Sequence, residues 1–536
     1  MRFGLRHFVL FALIGAGICS TFGCSSRSGS GVDAGARPRR HERRTPKPEP
    51  MNDEADASFV ASDGGIISST LDAGSTEGGD AAESGVSSGS DGSSGGSAPA
   101  SDGGGVSPGD VDVGAAGSGE LPTPPAADPG TVIPEPSDDA KYVFDQDVIR
   151  TYNIVISESD LAAIDLAPAD EVYVNGMLEF EGKVYGPLAV RYKGSVGGFL
   201  APCTAAGSVG ARPGPKTGKC SMKIDFDRVD PDARFYGLKK LNFHSMDRDP
   251  SMLRDRLGYS LFREFGVAAP RAMHARVLIN GKLEGLYVVV EQIDGRFTDS
   301  RFSEGGDGNL YKEVWPVSDA PDPYLAALET NEDRNPSVDK MLRFEEGIDH
   351  GVETAMQWLD ADYTFRYIAA DRVMINDDGA FHWYCAKNHN YYWYEAEHAD
   401  RMWIIPWDMD SSFQNGTFVH IAAPWNAPAT QCSCARGQMA ASCDRLTSEW
   451  AMLDDDYARA VDGFLAGPFA ASKVNAKLST WSAQIDSFVN EASGVNGAPL
   501  YADWQTAYAT LQSIIDSARM HRGYAYDAEP MPMAMP

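Results

Sequence analysis

Residues 402 to 413 read MWIIPWDMDSSF. The run from Met402 to Trp407 is apolar enough to fill a buried strand, and it ends in two carboxylates, Asp408 and Asp410, two residues apart. In extended chain, residues i and i+2 share a face, so this spacing aims two like charges the same way beside a core strand. Upstream, His389-Asn390 leads into the aromatic run Tyr391-Tyr392-Trp393-Tyr394, and the polar stretch Glu395 to Arg401 joins the two runs. Folded as a hairpin centred near residue 399, they bring Asn390 beside Asp408. A neutral oxygen donor and one or two carboxylates at a strand mouth suit a hard cation such as Mg²⁺. A turn cap or a structural Ca²⁺ site would use the same aspartates. Asn376-Asp377-Asp378-Gly379 follows the apolar helical stretch Tyr363 to Ile375 and leaves Asp378 free to orient or deprotonate an attacking hydroxyl.

Such groups need rigid elements behind them. Thr151 to Ser157 alternates as a strand does, and Leu188, Val190 and Tyr192 define the buried face of another. Arg191 and Lys193 then share the opposite face. Gly194, Gly197 and Gly198 follow, in a loop whose amides could approach a phosphate, although most such turns are only turns. In SMKIDFD, Met222, Ile224 and Phe226 face inward, leaving Lys223 on the side of Asp225. A helix is expected next, with Asp249 as cap, Pro250 in the first turn, Leu253, Leu257, Leu261 and Phe265 as its apolar stripe, and Gly266 as its end. Asn280-Gly281 between two strand-like runs is a hairpin signal. After Ile293 the chain turns mostly helical. Protein kinases use this order of elements.

The 536-residue chain is 43% hydrophobic with a formal net charge of -30, which argues against nucleic acid as a partner, because phosphate backbones need a basic face. Arg2, Arg6 and His7 precede an apolar run, Phe8 to Ile18, that is too short to span a bilayer and reads as a secretory signal. Thr21-Phe22-Gly23-Cys24 resembles a bacterial lipobox, with residues 1–23 as signal peptide and Cys24 as the acylated residue; Phe22 is unusual there, and plain secretion is the alternative. Residues 24–140 are rich in Gly, Ser, Ala, Asp and Pro and are expected to form a disordered tether. The folded domain is expected over 141–536. Outside the export segment, Cys203 and Cys220 bracket a Gly/Pro-rich insert and are the expected disulfide, while the pairing of Cys385, Cys432, Cys434 and Cys443 stays open. His382, Cys385 and His389 have metal-like spacing, but an oxidising compartment makes zinc the weaker reading.

Taken together, RYKG, KIDFD, LKKLNFHSMDRDPSMLRDRLGYSLFREFG, INGKLEGLYVVVEQID, NDDG, HNYYWY and IIPWDMD resemble the spore-coat protein H (CotH) kinase family over most of residues 145 to 525. The resemblance implies an α+β, atypical protein-kinase-like fold with two lobes. The N-lobe, about 141–295, would be β-rich with one main helix, and the C-lobe, about 296–536, mostly helical. ATP and Mg²⁺ or Mn²⁺ are the implied cofactors, and the implied activity is phosphoryl transfer to Ser or Thr of secreted or cell-surface proteins. The chain would act as an exported, membrane-anchored lipoprotein of the cell envelope or extracellular face. The resemblance makes Asp378 the catalytic aspartate, Asn390 and Asp408 metal ligands, and Asp410 an accessory carboxylate. Lys223 would hold phosphates, Arg191 and Lys193 would line the same pocket, and Glu291 would lie at the hinge. Asp255, ahead of Glu264, would be the ion-pair partner of Lys223. Two departures stand out: a longer segment between Asp378 and Asn390 than ordinary kinases use, and an insert between Gly198 and Lys219 that interrupts the glycine loop. The alternative is a surface scaffold or adhesin that keeps the kinase fold without turnover.

Overall fold

The computed structural model describes residues 138–194, 203–204, 214–334, 336–381, 388–413, 424–428, 440–520 and 522. The signal segment, Cys24, Gly197, Gly198, His382, Cys385, Cys432 and Cys434 lie outside them.

The first half is a closed barrel. Its strands are β1 (Arg150–Ile156), β2 (Val174–Phe180), β3 (Lys183–Tyr192), β4 (Met222–Asp225), β5 (Lys240–His244), β6 (Ala272–Ile279) and β7 (Lys282–Glu291), in the order β1-β2-β3-β4-β5-β7-β6. Antiparallel neighbours build most of it, and a parallel pairing of β1 with β6 closes it. The register aligns Val190, Ile224 and Leu241 across β3, β4 and β5, and beside them Arg191, Lys223 and Asn242. Since successive side chains alternate, the first row fills the barrel with Tyr152, Phe180 and Phe243. The second row lies on the outer face. The alternation read from Leu188 to Tyr192 and from Met222 to Phe226 therefore holds.

The β6–β7 turn is the expected one: Asn280 and Gly281 have φ of 51° and 77°, the left-handed pair of a two-residue hairpin. Helix α1 (Glu158–Leu166) follows β1, and α2 (Arg254–Glu264) lies between β5 and β6. α2 starts later than Asp249-Pro250 suggested, because residues 249–252 make a separate turn. Asp249 still caps it from a distance: Oδ2 accepts Arg254 N at 2.7 Å. Gly266, at φ 81°, ends the segment. Leu253, Leu257 and Leu261 are buried as their spacing predicts, and truncating any one to Ala would cost about 2–5 kcal/mol.

The second half contains α3 (Gly295–Arg301), α4 (Asp322–Ala326), α5 (Asp339–Ile348), α6 (Val352–Trp358), α7 (Ala361–Val373), α8 (Asp454–Ala466), α9 (Ala471–Glu491) and α10 (Tyr501–Met520). A small antiparallel sheet sits among them, ordered β10-β9-β8, from β8 (Leu310–Lys312), β9 (Tyr391–Glu395) and β10 (Met402–Pro406). Asp360 caps α7 by accepting Tyr363 N, and the Tyr363 hydroxyl donates to Ile404 O at 2.7 Å, which docks α7 on β10. One apolar cluster fills the barrel; a second runs from the outer face of β7, through Val288 and Val290, across α2 to α7 and the small sheet. The α+β class is as expected. Cys203 and Cys220 form the expected disulfide, with Cα atoms 4.8 Å apart.

Candidate active site

The β9–β10 hairpin has the register that the polar interruption implied. Met402 faces Glu395, Pro406 faces Tyr391, and Trp407 N donates to Asn390 O at 2.9 Å. Asn390 therefore stands beside the Trp407-Asp408 link at the mouth of the pair. Asn390 Nδ2 donates to Asp378 O and Asp378 Oδ2, both at 3.0 Å, which brings the loop after α7 to the same point. With Nδ2 engaged, Asn390 Oδ1 is the oxygen that remains to face a cation.

Three strand ends meet here in left-handed backbone: Glu313 after β8, Asn390 before β9 and Asp408 after β10, at φ of 50°, 57° and 50°. Non-glycine residues in that region cost on the order of 1–3 kcal/mol each and concentrate at functional sites. Contacts hold each one. Glu313 Oε1 accepts Asn390 N at 3.0 Å, and Asp408 N donates to the Tyr259 hydroxyl at 2.9 Å. Met409 N donates to Asp255 Oδ1 at 3.0 Å. α2 supplies both Tyr259 and Asp255, four residues apart and so on one face. It also approaches closely: a Cβ on Gly258 would stand 2.9 Å from Met409 Cβ.

The NDDG turn is built around a buried carboxylate. Asp371, on α7, accepts Asn376 Nδ2 at 2.8 Å and Phe381 N at 2.9 Å, and burial pushes it up to about 6. A Cβ on Gly379 would fall 2.5 Å from Asp371 Oδ1, so glycine is required there. Asp377 N reaches Ser411 O at 3.3 Å, tying this turn to the loop that carries Asp408 and Asp410.

On the barrel side, the polar outer row reaches the same group. Lys193 Nζ lies 3.1 Å from His244 Nε2, and His244 Nδ1 lies 3.2 Å from Asp255 Oδ2 and 3.9 Å from Asp408 Oδ1. Burial lowers Lys193 to about 8 against the pull of Asp408, and burial with the Lys193 charge lowers His244 to about 3. Burial pushes Asp255 up to about 7, against the Met409 amide and helped by Asp249 and Asp247. Asp410 is driven well up by burial and then by Asp408, Asp255 and Asp247, and its Oδ1 accepts from Ser411 Oγ at 3.1 Å. Carboxylates that raise one another in this way fit a divalent cation, whose charge would relieve the repulsion.

The remaining expected residues divide between this group and other places. Arg191 pairs with Glu171, and its charge acts on Lys193. Lys223 is buried on the same face, where its charge reaches Asp225. The Lys193 charge reaches both Asp255 and Asp408. Asp255 lies against His244, and the Lys193 charge acts on it. Glu291, the last residue of β7 before α3, is fully buried in an ion-pair hub with Arg271 at 2.6 Å, Arg301 at 2.5 Å and Arg296 at 3.4 Å.

Sequence reading missed His244, Tyr259, Lys312 and Glu313. Lys312 stands at the end of β8; burial works against its charge, but Glu313, Glu329 and Asp408 hold its pKa up. The alternation of Leu241 and Phe243 would have put His244 on the Lys193 face. Nothing in a three-residue strand marks β8.

The chain matches the family described as CotH kinase protein over residues 190–521. It is 24% identical over 194 residues to the inner spore coat protein H of Bacillus subtilis (strain 168), covering 33% of this chain and 51% of that one. It is 33% identical over 73 residues to an inner spore coat protein H-like protein of the same strain, covering 14% of this chain and 22% of that one. The chain thus spans about half the length, or less, of these curated relatives. The family match covers well over half of this chain, and it takes in Asp378, Asn390 and Asp408 together with the outer row of the barrel. The chain belongs to the CotH kinase protein family.

Proposed function

We propose that this site binds ATP with Mg²⁺ or Mn²⁺ and transfers the γ-phosphoryl group to a Ser or Thr hydroxyl of a secreted or cell-surface protein. The barrel and the helical half would act as the two lobes of an atypical kinase. One observation carries the reading: Asp378, Asn390 and Asp408 converge from separate loops, with Asn390 Nδ2 3.0 Å from Asp378 Oδ2 and Asn390 O 2.9 Å from Trp407 N. The family's description as a kinase supports it.

In this reading Asp378, oriented by Asn390, accepts the hydrogen of the acceptor hydroxyl and aims its oxygen at the γ-phosphorus. A new phosphorus–oxygen bond forms as the bond to the β-phosphate oxygen breaks, and ADP leaves. Lys193, with Arg191 nearby, supplies positive charge for the phosphates. A divalent ion, held by Asp408 and Asn390 with Asp410 beside them, would neutralise the phosphate oxygens when bound. Positioning and charge neutralisation are most of what phosphoryl transfer asks of a protein. Acylation at Cys24 would hold the chain on the envelope. The spore-coat names of its relatives agree with work at a surface.

Incubating the full chain with γ-labelled ATP and Mg²⁺ or Mn²⁺ tests the proposal. Metal-dependent labelling of the chain or of a generic protein acceptor is expected, and Asp378→Asn should remove it. ATP that binds without any transfer would favour the scaffold or adhesin.

A further inference from the structure

Among the described residues, His244, Asp255 and Asp408 have potential ligand atoms within 4.8 Å of one another, a grouping that suits a transition metal. The hydrogen bonds assign the histidine differently. An ammonium can only donate, so His244 Nε2, 3.1 Å from Lys193 Nζ, must be the acceptor. The ring proton then sits on Nδ1, which faces Asp255 Oδ2 at 3.2 Å. A protonated Nδ1 has no lone pair to give a metal. Asp408 Oδ1, at 3.9 Å, is beyond hydrogen-bond reach of it.

We propose that His244 is a neutral bridge between Asp255 and Lys193, and that Lys193, positioned through it, is the lysine that meets nucleotide phosphate; the nucleotide half rests on the function proposed above. The bridge continues past Asp255, whose Oδ1 accepts Met409 N at 3.0 Å. Tyr259, one turn along α2, accepts Asp408 N at 2.9 Å. One face of α2 therefore fixes both the lysine and the loop that carries Asp408. Trp407 packs on the other side, its ring 5.4 Å from the His244 ring and 5.2 Å from Lys193 Nζ. Among the described residues the Lys193 ammonium has no further hydrogen-bond acceptor. Two of its three N–H groups are left for phosphate oxygens. His244 is a positioning residue in this scheme; Lys193 is the one that touches the ligand.

Imidazole ¹⁵N spectra of the full chain without nucleotide read the bridge alone, with the His244 resonance assigned from its loss in His244→Gln or its displacement in Asp255→Asn. A neutral ring with its proton on Nδ1, unmoved by added Zn²⁺, is expected. A proton on Nε2, or a resonance shifted by Zn²⁺, overturns the bridge. Calorimetric titration with Mg-ATP then reads the lysine. Lys193→Met should weaken binding roughly 10- to 100-fold, the size of one charge-assisted hydrogen bond, and Lys223→Met by less. An equal or larger loss in Lys223→Met overturns the choice of lysine. A parent chain that binds no ATP removes the proposed function instead, and the ¹⁵N spectrum still decides the bridge.

Discussion

Glu291 and Asp255 are both buried carboxylates, and their surroundings have opposite signs. Around Glu291 stand Arg271, Arg296 and Arg301, with Asp138 sharing two of those arginines. Burial alone would raise its pKa, but Arg301 and Arg271 hold it down to about 2. Around Asp255 the neighbours are Asp247 and Asp249, partly offset by Lys193, and burial pushes it up to about 7. Asp408 and Asp410 are raised in the same way. The first group is electrically complete and explains a joint between the barrel and α3. The second has carboxylates that raise one another, an arrangement that suits a bound cation.

Substitutions should separate the two regions. The largest effect is expected in transfer: Asp378→Asn should slow it about 10²- to 10⁴-fold while melting temperature and Mg-ATP affinity stay near the parent's. A variant that unfolds instead would make Asp378 a structural residue, like those around Glu291. Glu291→Gln should do the reverse. Leaving buried arginines without their carboxylate costs about 3–5 kcal/mol of folding stability, read by urea unfolding, with any loss of activity following from unfolding alone. A stable Glu291→Gln with weakened ATP binding would move that glutamate back to the nucleotide.

Cys203→Ser should cost a similar or smaller amount, about 3 kcal/mol for a loop of this length, since Cys203 and Cys220 are 17 residues apart. Thiol labelling of both cysteines in the unreduced native chain would remove that bridge from the account.

The smallest effects are those of pH, and they have opposite signs in the two regions. Glu291 is held below its unfolded value of 4.5, so its contribution is complete above that pH and is lost as pH falls toward 2. Arg271, Arg296 and Arg301 face it as ion-pair partners, and Asp294, raised by burial and then by Glu291, faces the same carboxylate. Asp255 is held above 3.8, so the protonated form stabilises the metal-free protein and that contribution fades as pH rises toward 7. Unfolding midpoints followed from pH 3 to 8 should therefore fall at the acid end in the parent and fall less in Glu291→Gln. A parent profile that is flat there would contradict the assignment.

Much of this architecture was legible because the residues that specify it are neighbours in sequence. The Asn280-Gly281 turn, the leucine stripe of α2 and the polar break between Glu395 and Arg401 each encode local geometry, and the last one sets the hairpin register that puts Asn390 against Trp407. Barrel closure was not legible, because β1 and β6 pair in parallel across more than a hundred residues and no turn marks the contact. The choice between Lys193 and Lys223 was not legible either. Alternation puts both on one face of the sheet, and only the pairing register, which sets Lys223 against Asn242 and Lys193 N on Ser221 O, decides which one meets His244. The ion pairs of Glu291 were not legible, because its three arginines come from both sides of it in the chain.

The central claim is that Asp408 and its neighbours form a cation-dependent nucleotide site. Thermal unfolding of the parent and of Asp408→Asn, with ATP and Mg²⁺ added singly and together, tests it most directly. The parent should gain stability from the pair beyond either ligand alone, by about 2.7 kcal/mol when the complex is at a hundred times its Kd. Asp408→Asn should fold at least as well without ligand, because it relieves the carboxylate surplus, and should lose that joint gain. Equal gains in both proteins, or none in the parent, would contradict the account.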